Sequence, residues 1–121
     1  MLLSSDIWWP HYWFVLHSIA LTYPEYPNDS IKRKHYDLIQ NLPLFLPNKR
    51  MGKQFKKKLN EFPVLPYLNS RESFMKWVHF MHNKINRMLG KPEINFYKSL
   101  EKYYLNYETK RDKILKKIKQ R

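Results

Sequence analysis

The chain has 121 residues and carries 23 Lys+Arg against 10 Asp+Glu, a formal net charge of +13. That is one domain, and with 43% hydrophobic and 17% aromatic residues it is too apolar for a disordered polycation. It contains no cysteine, which excludes disulfides, thiolate-ligated zinc, iron–sulfur clusters and any thiol nucleophile; its two glycines argue against Gly-rich phosphate cradles and tight β-hairpins.

Taken in chain order, the residues between Ile7 and Tyr23 include no Asp, Glu, Lys or Arg. They suit neither a signal peptide nor a span. Asp6 stands where a signal peptide wants a basic residue, and Pro10, His11, His17, Ser18 and Thr22 interrupt the apolar run. A first helix is expected instead, with Trp9, Trp13, Leu16, His17 and Ala20 on one face, ending before Tyr23-Pro24. No basic, Ser-rich transit segment precedes it, so synthesis at the site of action or import without cleavage is expected.

After a loop holding Pro24, Pro27 and Asn28, Asp29 or Ser30 is expected to cap a second helix with the stripe Ile31, Leu38, Ile39, Leu42 and Phe45, disturbed at its end by Pro43 and Pro47. A third, mostly basic helix spans about 48–62, with Met51, Phe55 and Leu59 at four-residue steps. The fourth is the clearest. Ser70 caps it, Glu72 lies in its first turn, and Phe74, Trp77, Val78, Met81, Ile85, Met88 and Leu89 keep helical phase until Gly90-Lys91-Pro92. A fifth helix from about Glu93 would carry Phe96, Leu100, Tyr103, Tyr104, Tyr107, Ile114, Leu115 and Ile118. No segment alternates with period two. The expected fold is all-α, a four-helix bundle plus a fifth helix, with residues 1–97 as the helical domain and 98–121 as a basic amphipathic extension.

Three constellations could carry chemistry. His79 and His82 lie one turn apart with His17 facing them, but no third and fourth metal ligand is evident, and packed histidines are the better reading. Trp8, Trp9, Tyr12, Trp13 and Trp77 fall at core spacing. Between Lys110 and Arg121 there are seven basic residues and one acidic, and a second cluster comprises Lys49, Arg50, Lys53, Lys56, Lys57 and Lys58. Such runs are solvated faces first and binding sites for RNA or an anionic surface second.

Several segments resemble one family. Trp77-Val-His-Phe-Met-His82-Asn83-Lys-Ile85-Asn86-Arg-Met-Leu89-Gly90-Lys91-Pro92 is similar to the W-x-x-x-x-H-N-x-V-N-x-x-L-G-K-P signature of the Erv/ALR flavin-linked sulfhydryl oxidases. Trp8-Trp9-Pro10-His-Tyr-Trp13-Phe-Val-Leu16-His17 resembles that family's W-G-P-x-x-W-x-x-L-H, and Tyr23-Pro24 with Pro27 follows in place. Leu46-Pro47-Asn48-Lys-Arg-Met51-Gly-Lys-Gln-Phe55 lies where the family has L-P-C-x-x-C-x-x-x-F, and Leu68-Asn-Ser70-Arg71-Glu72 with Phe74 and Trp77 also fits. The likeness runs from about Trp8 to Tyr97.

The resemblance implies a bundle of four helices and a short fifth, holding FAD non-covalently at its mouth. It places Trp13, His17, Tyr23, His82, Asn83, Asn86 and Lys91 against the flavin: rings to stack, amides to bond ring edges, a lysine to meet the pyrophosphate. His79 falls where relatives commonly have cysteine beside the cofactor. The family's reaction needs a Cys-x-x-Cys at a helix N-terminus, where the dipole favours a thiolate. Here those positions are Asn48 and Met51, so no catalytic residue is assigned, and a second cysteine pair would map near Asn60 and Phe96.

The leading expectation is therefore a cysteine-less, catalytically inactive Erv/ALR domain retained as a structural or assembly subunit. The alternatives are a protein that still binds FAD and works with a partner's thiols, and a basic RNA-binding subunit of a ribosome-like particle. A homodimer is compatible with the family. The Lys-, Asn-, Ile- and Tyr-rich composition suits an AT-rich genome, and a mitochondrial setting is expected, with a large DNA virus as the alternative.

Overall fold

The computed structural model describes residues 3–104 together with Ile118. Among them are five α-helices, α1 (Ser5–Leu21), α2 (Asp29–Asn41), α3 (Lys49–Glu61), α4 (Arg71–Met88) and α5 (Phe96–Tyr104), with 3-10 turns at Leu42–Phe45 and Leu65–Tyr67 and no strand. The architecture is the all-α bundle with a fifth helix that the sequence implied. None of the described helices is long and apolar enough to cross a membrane.

Local chemistry sets the ends of the helices. Asn28, not Asp29 or Ser30, caps α2: its backbone is extended, and its side chain accepts the Ile31 amide proton at 2.8 Å, which leaves Asp29 in the first turn where the dipole favours it. The expected second helix breaks at Leu42, because Pro43 lacks an amide proton, and the chain tightens into a 3-10 turn. Ser70 and Ser73 cap α4 reciprocally, each hydroxyl accepting the other's amide proton. Gly90 stops α4 at φ +71°, a left-handed conformation that glycine takes without strain. The fifth helix starts at Phe96 rather than Glu93, since Asn83 holds Ile94 in a non-helical strap and the Asn95 side chain accepts the Lys98 amide proton at 2.8 Å.

The core lies chiefly between α1 and α4, where Trp9, Trp13, Leu16 and Ala20 meet Phe74, Val78, Met81 and Ile85. From below, α3 adds Met51, Phe55 and Leu59. Across the open end, α5 rests on α1 and α4 and buries Ser99 and Tyr103. The division expected after residue 97 falls inside α5, and the basic run Lys110–Arg121 lies, except for Ile118, outside the described residues.

Candidate functional site

Two neighbourhoods contain most of the residues singled out by the sequence. The first is the N-terminus of α3. Asn48 has an extended backbone, and its side-chain oxygen accepts the amide protons of Arg50 at 2.9 Å and Met51 at 3.2 Å. These are the donors that would steady a thiolate at this position; here a neutral amide takes them. Met51 turns inward with Phe55, whose ring packs on Trp9 and Trp13 at 5.6 and 6.3 Å. Neither side chain ionises or can form a disulfide. Asn60 is exposed, and Phe96 lies edge-on to His79 at 5.4 Å.

The second neighbourhood is the end of the bundle between α1, α4 and α5. His82 stacks on Trp13 with centroids 4.3 Å apart and planes 9° off parallel. His17 stacks on Tyr103 at 4.0 Å and 13°. The two imidazoles join the pairs edge to edge, His17 Nε2 to His82 Nδ1 at 3.1 Å, so one ring donates and the other accepts. Burial pushes both down to about pH 3; His82 further lowers His17, Lys102 further lowers His82, and His79 opposes charge on each. Burial also pushes the Tyr103 hydroxyl up to about 12. Near neutral pH this is an uncharged four-ring stack.

Other predicted residues serve around it. The Asn83 amide donates to the Ile94 carbonyl at 2.8 Å and accepts the Ile94 amide proton at 2.9 Å, clasping the strap between α4 and α5. Asn86 accepts the Lys91 amide proton through its carbonyl at 2.7 Å. The Lys91 ammonium pairs with Asp6 at 2.9 Å. Tyr23 lies apart from the cluster, in the interior against His35 and Phe74, with its hydroxyl donating to the Leu68 carbonyl at 2.6 Å. No three metal-ligating side chains cluster among the described residues. Sequence reasoning placed Trp9 in the core and Tyr103 on a helix face without giving either a role here. Their one signal was helical phase, which does not say what an aromatic ring will meet.

A cavity of about 240 Å³ opens beside the stack, lined by Trp9, Trp13, His82, Asn86, Lys91 and Tyr103, with Lys102 at its edge. The indole Nε1 of Trp9, fully buried, has no hydrogen-bond partner. Aromatic walls and two cations suit one planar ring system bearing negative charge. They do not accommodate a whole FAD, which has two ring systems joined by a pyrophosphate. The volume falls below the roughly 300 Å³ at which small-molecule sites begin, and the ring pairs are closed at contact, leaving no gap for another ring between them.

Comparison with known proteins matches residues 10–105 to the model of the Erv1 / Alr family. A probable FAD-linked sulfhydryl oxidase of Acanthamoeba polyphaga mimivirus is 28% identical over 100 residues, covering 82% of this chain and 70% of that protein. The FAD-linked sulfhydryl oxidase ERV1 of rice is 34% identical over 66% of this chain and 40% of that protein. The mitochondrial FAD-linked sulfhydryl oxidase ERV1 of Saccharomyces cerevisiae is 33% identical over 69% of this chain and 43% of its own length. This chain thus spans less than half of the rice and yeast relatives. The crystal structure of the yeast Erv1 core superimposes with a TM-score of 0.76 at 26% identity, over 85% of this chain and 86% of that one.

Proposed function

The chain belongs to the Erv1/Alr family, and on that premise we propose that it is a member that does not oxidise thiols and serves as a structural subunit of a larger assembly. One observation carries the reading. At the N-terminus of α3, Asn48 caps the helix with its amide and Met51 is buried, in a chain of 121 residues without cysteine. Accepting electrons from a dithiol needs a sulfur that can be attacked, form a mixed disulfide and leave. No group at these positions can do so. The test is oxygen uptake by the purified chain with dithiothreitol and added FAD. Uptake at the rate of the protein-free control is expected, and turnover proportional to protein concentration refutes the reading.

A second reading keeps FAD as a bound cofactor used with a partner's thiols. The cavity that Trp9, Trp13, Asn86 and Lys91 line together favours it. It requires Tyr103 to withdraw from His17. A flavin absorption band in the dialysed protein supports this reading, and a colourless protein refutes it. Relatives named mitochondrial in two yeasts, and others from large DNA viruses, support a mitochondrial or a viral setting. A basic RNA-binding subunit of a ribosome-like particle is the separate alternative, and it predicts RNA binding that weakens steeply with salt; a homodimer is compatible with the family.

A further inference from the structure

From the outer face of α3 and the turn before it, we propose a second site, a docking surface for an anionic lipid bilayer. It is independent of whether the domain handles thiols or flavin.

The cations come first. Lys49, Lys53 and Lys56 follow one another at helical spacing, Arg50 and Lys57 form the adjoining strip, and all five are exposed while Met51, Phe55 and Leu59 face the core. Among the described residues none of the five is in an ion pair. The nearest carboxylate on the same helix, Glu61, is taken by Lys58 at 3.4 Å. The strip therefore presents uncompensated positive charge.

Apolar groups stand beside it. Leu44 is 81% exposed and Phe45 70%, both on the 3-10 turn that leads into α3. The turn is fixed in place: the Tyr12 hydroxyl donates to the Phe45 carbonyl at 2.8 Å, and a Cβ at Gly52 would lie 2.6 Å from the Pro43 carbonyl oxygen. This close approach puts Leu44 and Leu46 along one groove of about 360 Å³ with Lys49, Lys53 and Lys56.

Charge and apolar surface together select the partner. Lysine is depleted at protein–protein interfaces, so a lysine strip is a poor protein contact. Nucleic acid would use the cations but gains nothing from an exposed Leu44. A bilayer interface uses both, since apolar side chains enter the headgroup boundary while lysines meet lipid phosphates.

The test uses the full chain with phosphatidylcholine vesicles, with and without phosphatidylserine. Binding should require phosphatidylserine and should weaken by about tenfold or more in both Leu44→Ser/Phe45→Ser and Lys53→Glu/Lys56→Glu. Because the chain has no cysteine, Phe45→Cys gives a unique site for a polarity-sensitive dye, whose emission should shift to the blue on phosphatidylserine vesicles. The dye result decides the matter if a double variant fails to fold. Three results overturn the proposal: unchanged binding in both double variants, loss only in the lysine variant together with loss of RNA binding, or a dye that senses no change.

Discussion

His17 Nε2 and His82 Nδ1 lie 3.1 Å apart between the faces of Tyr103 and Trp13, a neutral hydrogen bond closed off from water. In the unfolded chain each imidazole takes up a proton near pH 6.5; in the fold neither does so until about pH 3, chiefly because of burial. Between those values the unfolded state holds more protons, so acid favours unfolding. Stability should fall as the pH drops below 6.5, by up to about 1.4 kcal/mol per pH unit for the first proton the pair takes up. Thermal melts across this range check the slope, and a flat profile would mean that the pair is not buried and neutral.

Tyr103 is the lid of that pair, only 5% exposed. Tyr103→Ala should admit water to His17 and bring its titration up toward the ordinary histidine range, read by NMR of the imidazole protons. It should also destabilise the domain by about 3–5 kcal/mol, as for other large aromatic truncations. If His17 still resists protonation, its burial has another source.

Asn48 acts as a helix cap. Asn48→Ala should cost about 1 kcal/mol in urea denaturation, and Asn48→Asp should recover it, because both side chains can accept the Arg50 and Met51 amide protons. Equal stability of all three would remove the capping role.

Gly52 marks the closest approach of α3 to the 3-10 turn. A methyl group there meets the Pro43 carbonyl at 2.6 Å, backbone that cannot swing aside. Gly52→Ala should therefore destabilise by about 1–3 kcal/mol, despite alanine's better helix propensity. A stabilised variant would show that the contact relaxes freely.

Much of this was legible in the chain, for reasons that differ by residue. The apolar phases of α1 and α4 and the Gly90 stop follow from side-chain periodicity and backbone freedom, so those helices could be anticipated, while the meeting of Trp13, His17 and His82 was implied by the family resemblance. The Asn28 cap could not, because three adjacent residues, Asn28, Asp29 and Ser30, are all good caps and only the chain's path after Pro27 chooses among them. The start of α5 was hidden for a similar reason: the Asn83 clasp on Ile94 is a contact across eleven positions. Tyr103 was in phase on its helix, yet what it covers depends on how α5 crosses α1, and local spacing does not carry that. Asn48 and Met51 were legible as a chemical loss, but the structure adds that the amide takes over the helix-end donors.

On the proposed function, electrons do not pass from a dithiol through this chain to a flavin. The most direct measurement mixes the protein with oxidised FAD under anaerobic conditions, adds excess dithiol and follows the flavin absorbance. Bleaching should be no faster than that of free FAD with the same dithiol. Bleaching whose rate rises with protein concentration would contradict it.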